Sequence, residues 1–167
     1  MTRVIVIRGN SGSGKTTAAR RLRAAILQRG AAKAVAVVEQ DYFRRVVLKE
    51  QEEGGAEALA LIRLVATFAL ARSFDVIVEG ILGAEKYGEM LTGLMSLADE
   101  SHAFYFDVSF DETVRRHATK ADAAFGADEM RAWWKEHDVL GVDGEVILEE
   151  SLSLDDAVAT MLGRAYA

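Results

Sequence analysis

Apolar positions in this chain fall into two kinds of run, and their alternation predicts an architecture. Val4–Ile7, Ala34–Val38, Phe74–Val78, His102–Val108 and Glu145–Leu148 are short and largely apolar, the pattern of strands buried on both faces. Between them, apolar residues recur every three or four positions. Ala18, Leu22, Ala25 and Ile26 form one face of a helix over Thr17–Arg29, closed by Gly30, and Ala56–Arg72 is apolar almost all round, which predicts deep burial. Tyr87, Met90, Leu91, Leu94, Leu97 and Ala98 make a further inward face, as do Leu154, Ala157, Val158, Met161 and Leu162.

Three shorter helices are predicted over Arg44–Glu52, Asp111–Ala118 and Asp128–His137. Gly54-Gly55 breaks the first from its successor, and Ser109 with Glu112 and Ser153 with Asp156 have the spacing of capping boxes. Thr119–Gly126 is a link of small residues, and Val139–Gly144 is a turn-rich loop. Five strands alternating with helices mean a three-layer α/β sandwich around a parallel sheet. Ligands of such sheets bind beyond the carboxyl ends of the strands, where Asp41, Glu79 and the segment after Val108 all fall. At 167 residues, one domain over 1–167 is expected, with a lid at about 115–127.

Composition excludes several chemistries. With no cysteine there is no disulfide, thiol nucleophile or Cys-ligated metal, which fits a cytoplasmic location. His102 and His137 have no partner pattern for a metal site. The N-terminus does not read as a signal peptide, and Ala58–Ala71, interrupted by Arg63 and Thr67, is too short to span a bilayer, so no membrane partner is expected. A net charge of −6 argues against a sequence-indifferent nucleic-acid binder while leaving room for a local basic groove.

The positive signal is Gly9-Asn10-Ser11-Gly12-Ser13-Gly14-Lys15-Thr16, which fits G-x-x-x-x-G-K-[ST] between a strand and a helix. Its glycines let backbone amides close on a polyphosphate, and the helix N-terminus at Lys15 to Thr17 adds its dipole. Lys15 should reach the β- and γ-phosphates, and the Thr16 hydroxyl should ligate Mg²⁺. Glu79, ending a hydrophobic strand, suits the acid that helps hold the metal, and it could instead touch an acceptor. Asp41 can take the proton of an attacking hydroxyl or cap the next helix, and Arg44, three residues on, can position the acceptor. Arg116 and Lys120, beside Arg115 and His117, share a helical face ahead of the link, where cations would offset charge on a moving phosphoryl group. His117 is expected at the surface. Trp133-Trp134, one turn after Met130, can wall a pocket or divide between core and surface.

With these residues placed, the chain resembles a small P-loop kinase of the nucleoside and nucleotide kinase-like group. Gln40-Asp41-Tyr42-Phe43 and Glu79-Gly80-Ile81-Leu82 are similar to uridine kinase, in which the aspartate activates a sugar hydroxyl. Asp41-x-x-Arg44 and Glu112–Lys120, with Phe125 and Met130 beyond, resemble the 5′-kinase module of polynucleotide kinase. There the aspartate is the general base, the arginine contacts the acceptor, and lid cations at the positions of Arg116 and Lys120 contact ATP. Chloramphenicol-type phosphotransferases share the layout. The resemblance implies strand order 2-3-1-4-5 and ATP as donor.

The expected activity is an ATP- and Mg²⁺-dependent kinase acting on a hydroxyl of a small molecule such as a metabolite, nucleoside or antibiotic. The alternative acceptor is a nucleic-acid 5′-hydroxyl. A second alternative is a switch or a nucleotide-binding protein without transfer, since Thr119-Lys120-Ala121-Asp122 matches the [NT]-K-x-D guanine motif. That motif should follow a strand, whereas here it follows a predicted helix.

Overall fold

A computed structural model describes residues 1–50, 56–119 and 126–167. Five parallel strands, β1 (Arg3–Gly9), β2 (Val35–Glu39), β3 (Asp75–Gly80), β4 (Glu100–Asp107) and β5 (Val146–Glu149), form one sheet in the order β2-β3-β1-β4-β5. The helices are α1 (Lys15–Gln28), α2 (Ala56–Ala71), α3 (Ala84–Met95), α4 (Phe110–His117), α5 (Ala127–Trp133) and α6 (Leu154–Ala165), with a short π-helix over Tyr42–Val47.

The strand alternation explains why the apolar runs are continuous. Ile5, Ile7, Ile77, Phe104 and Phe106 point to the face covered by α1 and α6, while Val4, Val6, Val76 and Val78 point to the face covered by α2 and α3. Each face is its own core layer. No helix among the described residues is long and apolar enough to cross a membrane.

Four expectations need correction. The periodicity around α3 places Leu97 inward, but the helix ends at Met95 and Leu97 is exposed. The all-round apolar helix α2 is buried on one face only: Ala58, Ile62 and Ala66 are covered, whereas Leu64 and Phe68 are 65% and 61% exposed. In place of a helix over Arg44–Glu52, the turn starts earlier, is wider and stops at Val47, with the Leu48 N–H donating to the Phe43 carbonyl at 3.0 Å. Helix α5 stops at Trp133 instead of reaching His137, because the Lys135 N–H and C=O are both taken by the Asn10 side chain, at 3.0 and 2.6 Å. Tertiary hydrogen bonds there replace the helical ones.

Candidate active site

The loop between β1 and α1 is set by its glycines. Gly12 lies at φ +83°, and a Cβ on it would sit 2.6 Å from the Thr113 carbonyl oxygen, so α4 packs directly on the loop backbone. Gly14, at φ +97°, takes the N-cap position of α1. The Asn10 carbonyl accepts from the Ser13 N–H at 3.2 Å and from Lys15 Nζ at 3.1 Å, which holds the lysine across the loop. Residues Gly9 to Thr17 thus end β1 and open α1 at the carboxyl edge of the sheet.

Glu79 comes to this loop from the end of β3. Its Oε1 and Oε2 accept from the Thr16 hydroxyl at 3.1 and 3.2 Å, and the residue is only 2% exposed. Burial pushes its pKa up, opposed by the Lys15 charge and the Thr16 hydrogen bond. A hydroxyl and a carboxylate converging beside a lysine are hard oxygen donors of the kind Mg²⁺ takes alongside phosphate oxygens. The described residues hold no cluster of three metal-ligating side chains, so such an ion would depend on the phosphates for its other ligands.

On the β2–β3 side, Gln40, Asp41, Arg44, Ile81, Gly83, Lys86, Tyr87, Trp133 and Lys135 line a cavity of about 200 Å³. Asp41 starts the π-helix without a side-chain capping bond; its Oδ1 lies 3.4 Å from Arg44 Nη2 and 3.5 Å from Arg45 Nε. The capping alternative is therefore absent. The far wall is braced by Arg8, a fully buried cation at the end of β1. Its Nε donates to the Leu82 carbonyl at 2.8 Å and its Nη2 to Asp138 Oδ2 at 2.7 Å, with Glu145 at 3.8 Å. Asp138 Oδ2 also accepts from the Ala84 N–H at 3.0 Å, capping α3, whose own N-cap is Gly83. Leu82 is held at φ +43° between Gln40, whose Oε1 accepts its N–H at 3.2 Å, and Arg8.

A second cavity, of about 300 Å³, opens on the other side of the loop between Gly14, Thr17, Arg115, Arg116, Leu152 and Leu154. Arg116 ties its rim together: Nε donates to Glu112 at 2.6 Å, Nη1 to the Ser13 carbonyl at 3.0 Å and Nη2 to the Glu150 carbonyl at 3.1 Å. Hydrogen bonds from Arg115 and Arg116 pull the Glu112 carboxyl down to about 2, so it stays ionised at any working pH.

The structure thus brings Lys15, Thr16 and Glu79 together, with Asp41 and Arg44 lining one cavity and Arg116 the other. Lys120 lies outside the described residues, as do Phe125 and residues 120–122 of the guanine-type motif; Thr119 itself follows helix α4, not a strand. His117 is buried, at 6% exposure, not superficial. Neither tryptophan enters the core. Met130 is buried against Gly12, Trp133 walls the smaller cavity, and Trp134 meets Phe110 edge-on at 5.4 Å.

Sequence reasoning missed Arg8, Asp138 and the Glu149–Leu154 loop. The loop was open to discovery, because the carboxyl-end rule that sorted Asp41 and Glu79 applies equally to β5. No sequence signal marks Arg8, whose partners are 74 and 130 residues away.

A model of the AAA domain family matches residues 4–136. No curated protein matches the chain in sequence. Among solved structures, the chain is similar in fold to the APS kinase of Mycobacterium tuberculosis in complex with AMPPNP and APS. The two are 17% identical with TM-score 0.74, covering 97% of this chain and 96% of that one. A gluconokinase from Sinorhizobium meliloti 1021 is also 17% identical, with TM-score 0.64 and coverage of 97% and 93%. A sugar kinase from Janibacter sp. HTCC2649 is 17% identical, with TM-score 0.66 and coverage of 98% and 94%. The architecture is that of the small P-loop kinases of the nucleotide kinase-like group.

Proposed function

Since this chain belongs to the AAA domain family, we propose that it is an ATP- and Mg²⁺-dependent kinase that moves the γ-phosphoryl group to a hydroxyl of a small molecule. The observation that supports the reading is a pair of cavities, one lined by Ser13, Gly14 and Thr17 of the phosphate-binding loop, the other, smaller one presenting a carboxylate, Asp41, next to a buried arginine and including Lys135, whose backbone is bonded to Asn10 of that loop. A switch needs only one such cavity.

In this reading the loop amides and Lys15 hold the triphosphate, and the larger cavity takes the base, with Arg116 fastening its rim to the loop. Thr16 and Glu79 would hold Mg²⁺, which when bound neutralises charge on the phosphates. Asp41 accepts the proton of the acceptor hydroxyl as its oxygen bonds to the γ-phosphorus and the bond to the β-phosphate oxygen breaks, giving ADP and a phosphate monoester. Arg44 orients the acceptor. By resemblance, Lys120 would add a lid cation and the segment at about 115–127, of which residues 120–125 lie outside the described residues, would close and exclude water. The modest volume of the smaller cavity, about 200 Å³, supports a small acceptor.

Two substitutions test the assignment. Asp41→Asn should lower the transfer rate by about 10²–10⁴-fold with ATP affinity nearly unchanged. Lys15→Ala should weaken ATP binding or turnover by a similar factor. Normal kinetics in the first variant refutes the base, and in the second the donor site.

A further inference from the structure

We infer that the outer face of helix α2 is a homodimer interface, packing antiparallel on the α2 of a second copy of this chain about a two-fold axis at Leu64. None of its residues lines either cavity beside the phosphate-binding loop, so this surface stands apart from the kinase reading.

A helix apolar all round is ordinarily covered all round, yet the single chain covers only the α2 face of Ala58, Ile62 and Ala66. Opposite that face, residues three and four apart form a second apolar stripe of Ala60, Leu61, Leu64 and Phe68, in which the two largest exposed side chains, Leu64 and Phe68, stand one turn apart. A single surface leucine is ordinary, whereas a contiguous stripe marks a contact surface. Exposed Val47 and Phe74 extend it at its two ends, which are tied to α2 by the Glu50 carboxylate accepting the Ala58 N–H at 3.1 Å and the Phe74 N–H donating to the Ala69 carbonyl at 3.1 Å.

The stripe is complementary to itself in one orientation. When two copies of α2 run antiparallel and cross at Leu64, positions equally far before and after Leu64 face each other. The small Ala60 then receives Phe68 of the other copy, and Glu57 in the first turn meets Arg72, just past the last. Among the described residues neither Glu57 nor Arg72 makes an ion pair; Arg72 stands 5.2 Å over the Phe68 ring. The two-fold axis pairs both sets of charges at once, whereas a parallel arrangement sets Glu57 beside Glu57 and Arg72 beside Arg72, a like-charge juxtaposition. Helix α2 alone, about 24 Å long, offers less than the roughly 800 Å² per partner of a standard interface, so the dimer is a concentration-dependent one.

Sedimentation velocity of the full chain from about 1 μM to about 1 mM should show monomer giving way to dimer. Leu64→Glu, at an exposed position, should raise the dimer dissociation constant at least about tenfold while leaving the melting temperature of the dilute monomer unchanged. Glu57→Arg and Arg72→Glu should each weaken the dimer about fivefold, and the two reversals together should restore it. Because the chain has no cysteine, an introduced one reports the orientation. On mild oxidation Leu64→Cys should form an intermolecular disulfide at least about tenfold faster than Leu97→Cys, whose position is 59% exposed and lies outside the stripe. A chain that stays monomeric over the whole range, a dimer indifferent to Leu64→Glu, a double charge reversal no stronger than the single ones, or equal crosslinking of the two cysteine variants overturns the proposal.

Discussion

Glu79 answers two opposed demands. In the proposed role its carboxylate would have to be ionised to hold a metal beside Thr16, yet burial favours the protonated form and holds its pKa above the usual carboxylate range. The folded protein therefore binds that proton more tightly than the unfolded chain does, and stability falls as pH rises from the ordinary glutamate value through the raised one. Glu79→Gln removes this penalty. Without nucleotide at pH 7, the variant should melt about 2–4 °C above the parent while losing activity. The gain should vanish as the pH is lowered into the ordinary carboxylate range; calorimetry across pH checks both. Arg8 gives the opposite case. Burial pulls its pKa down while Asp138 and Glu145 hold it charged, and Arg8→Ala would leave both acids without their cation. A loss of about 3–5 kcal/mol in urea unfolding is expected. At this scale, legibility followed motif density. Lys15 and Thr16 are named by their loop, and Asp41 and Glu79 by their strand ends. Arg8 interrupts nothing but an apolar run, and only the fold shows what it braces.

Among the elements, the strands and long helices were readable because period and length agree with what each must bury, as in β3 and α1. The failures lie where distant partners override a local preference. Helix α5 ends early because Asn10 captures the Lys135 backbone, and α2 leaves Leu64 and Phe68 exposed although its composition predicts burial all round. Asn10→Ala should accordingly act at a distance from the phosphates. Its release of Lys135 is expected to raise the acceptor KM about tenfold while changing nucleotide affinity less than about threefold, measured by steady-state kinetics and nucleotide titration. Helix α6, by contrast, is locally specified. Ser153 Oγ accepts the Asp156 N–H at 3.1 Å, and Ser153→Ala should cost about 1 kcal/mol in chemical denaturation.

Across the whole molecule, one parallel sheet carries the glycine-rich loop and Glu79 at the ends of β1 and β3, the smaller cavity at β2 and β3, and the larger one at β4 and β5, all at one edge. That arrangement could be anticipated from the alternation of strands and helices, since every candidate acid and the loop lay after a strand. Strand order came only through resemblance, because nothing in periodicity says which strands are neighbours. The proposed acceptor cavity was hidden for a different reason: it joins Asp41, Lys86 and Trp133, segments whose spacing spells no motif. The central claim is transfer to a hydroxyl, and product detection tests it most directly. The full chain is incubated with Mg²⁺, γ-labelled ATP and a fractionated small-molecule extract, beside Asp41→Asn. A label appearing in an acid-stable monoester of a small molecule, lost in the variant while nucleotide still binds, is the predicted result; label released only as inorganic phosphate, or transfer undiminished by Asp41→Asn, would contradict it.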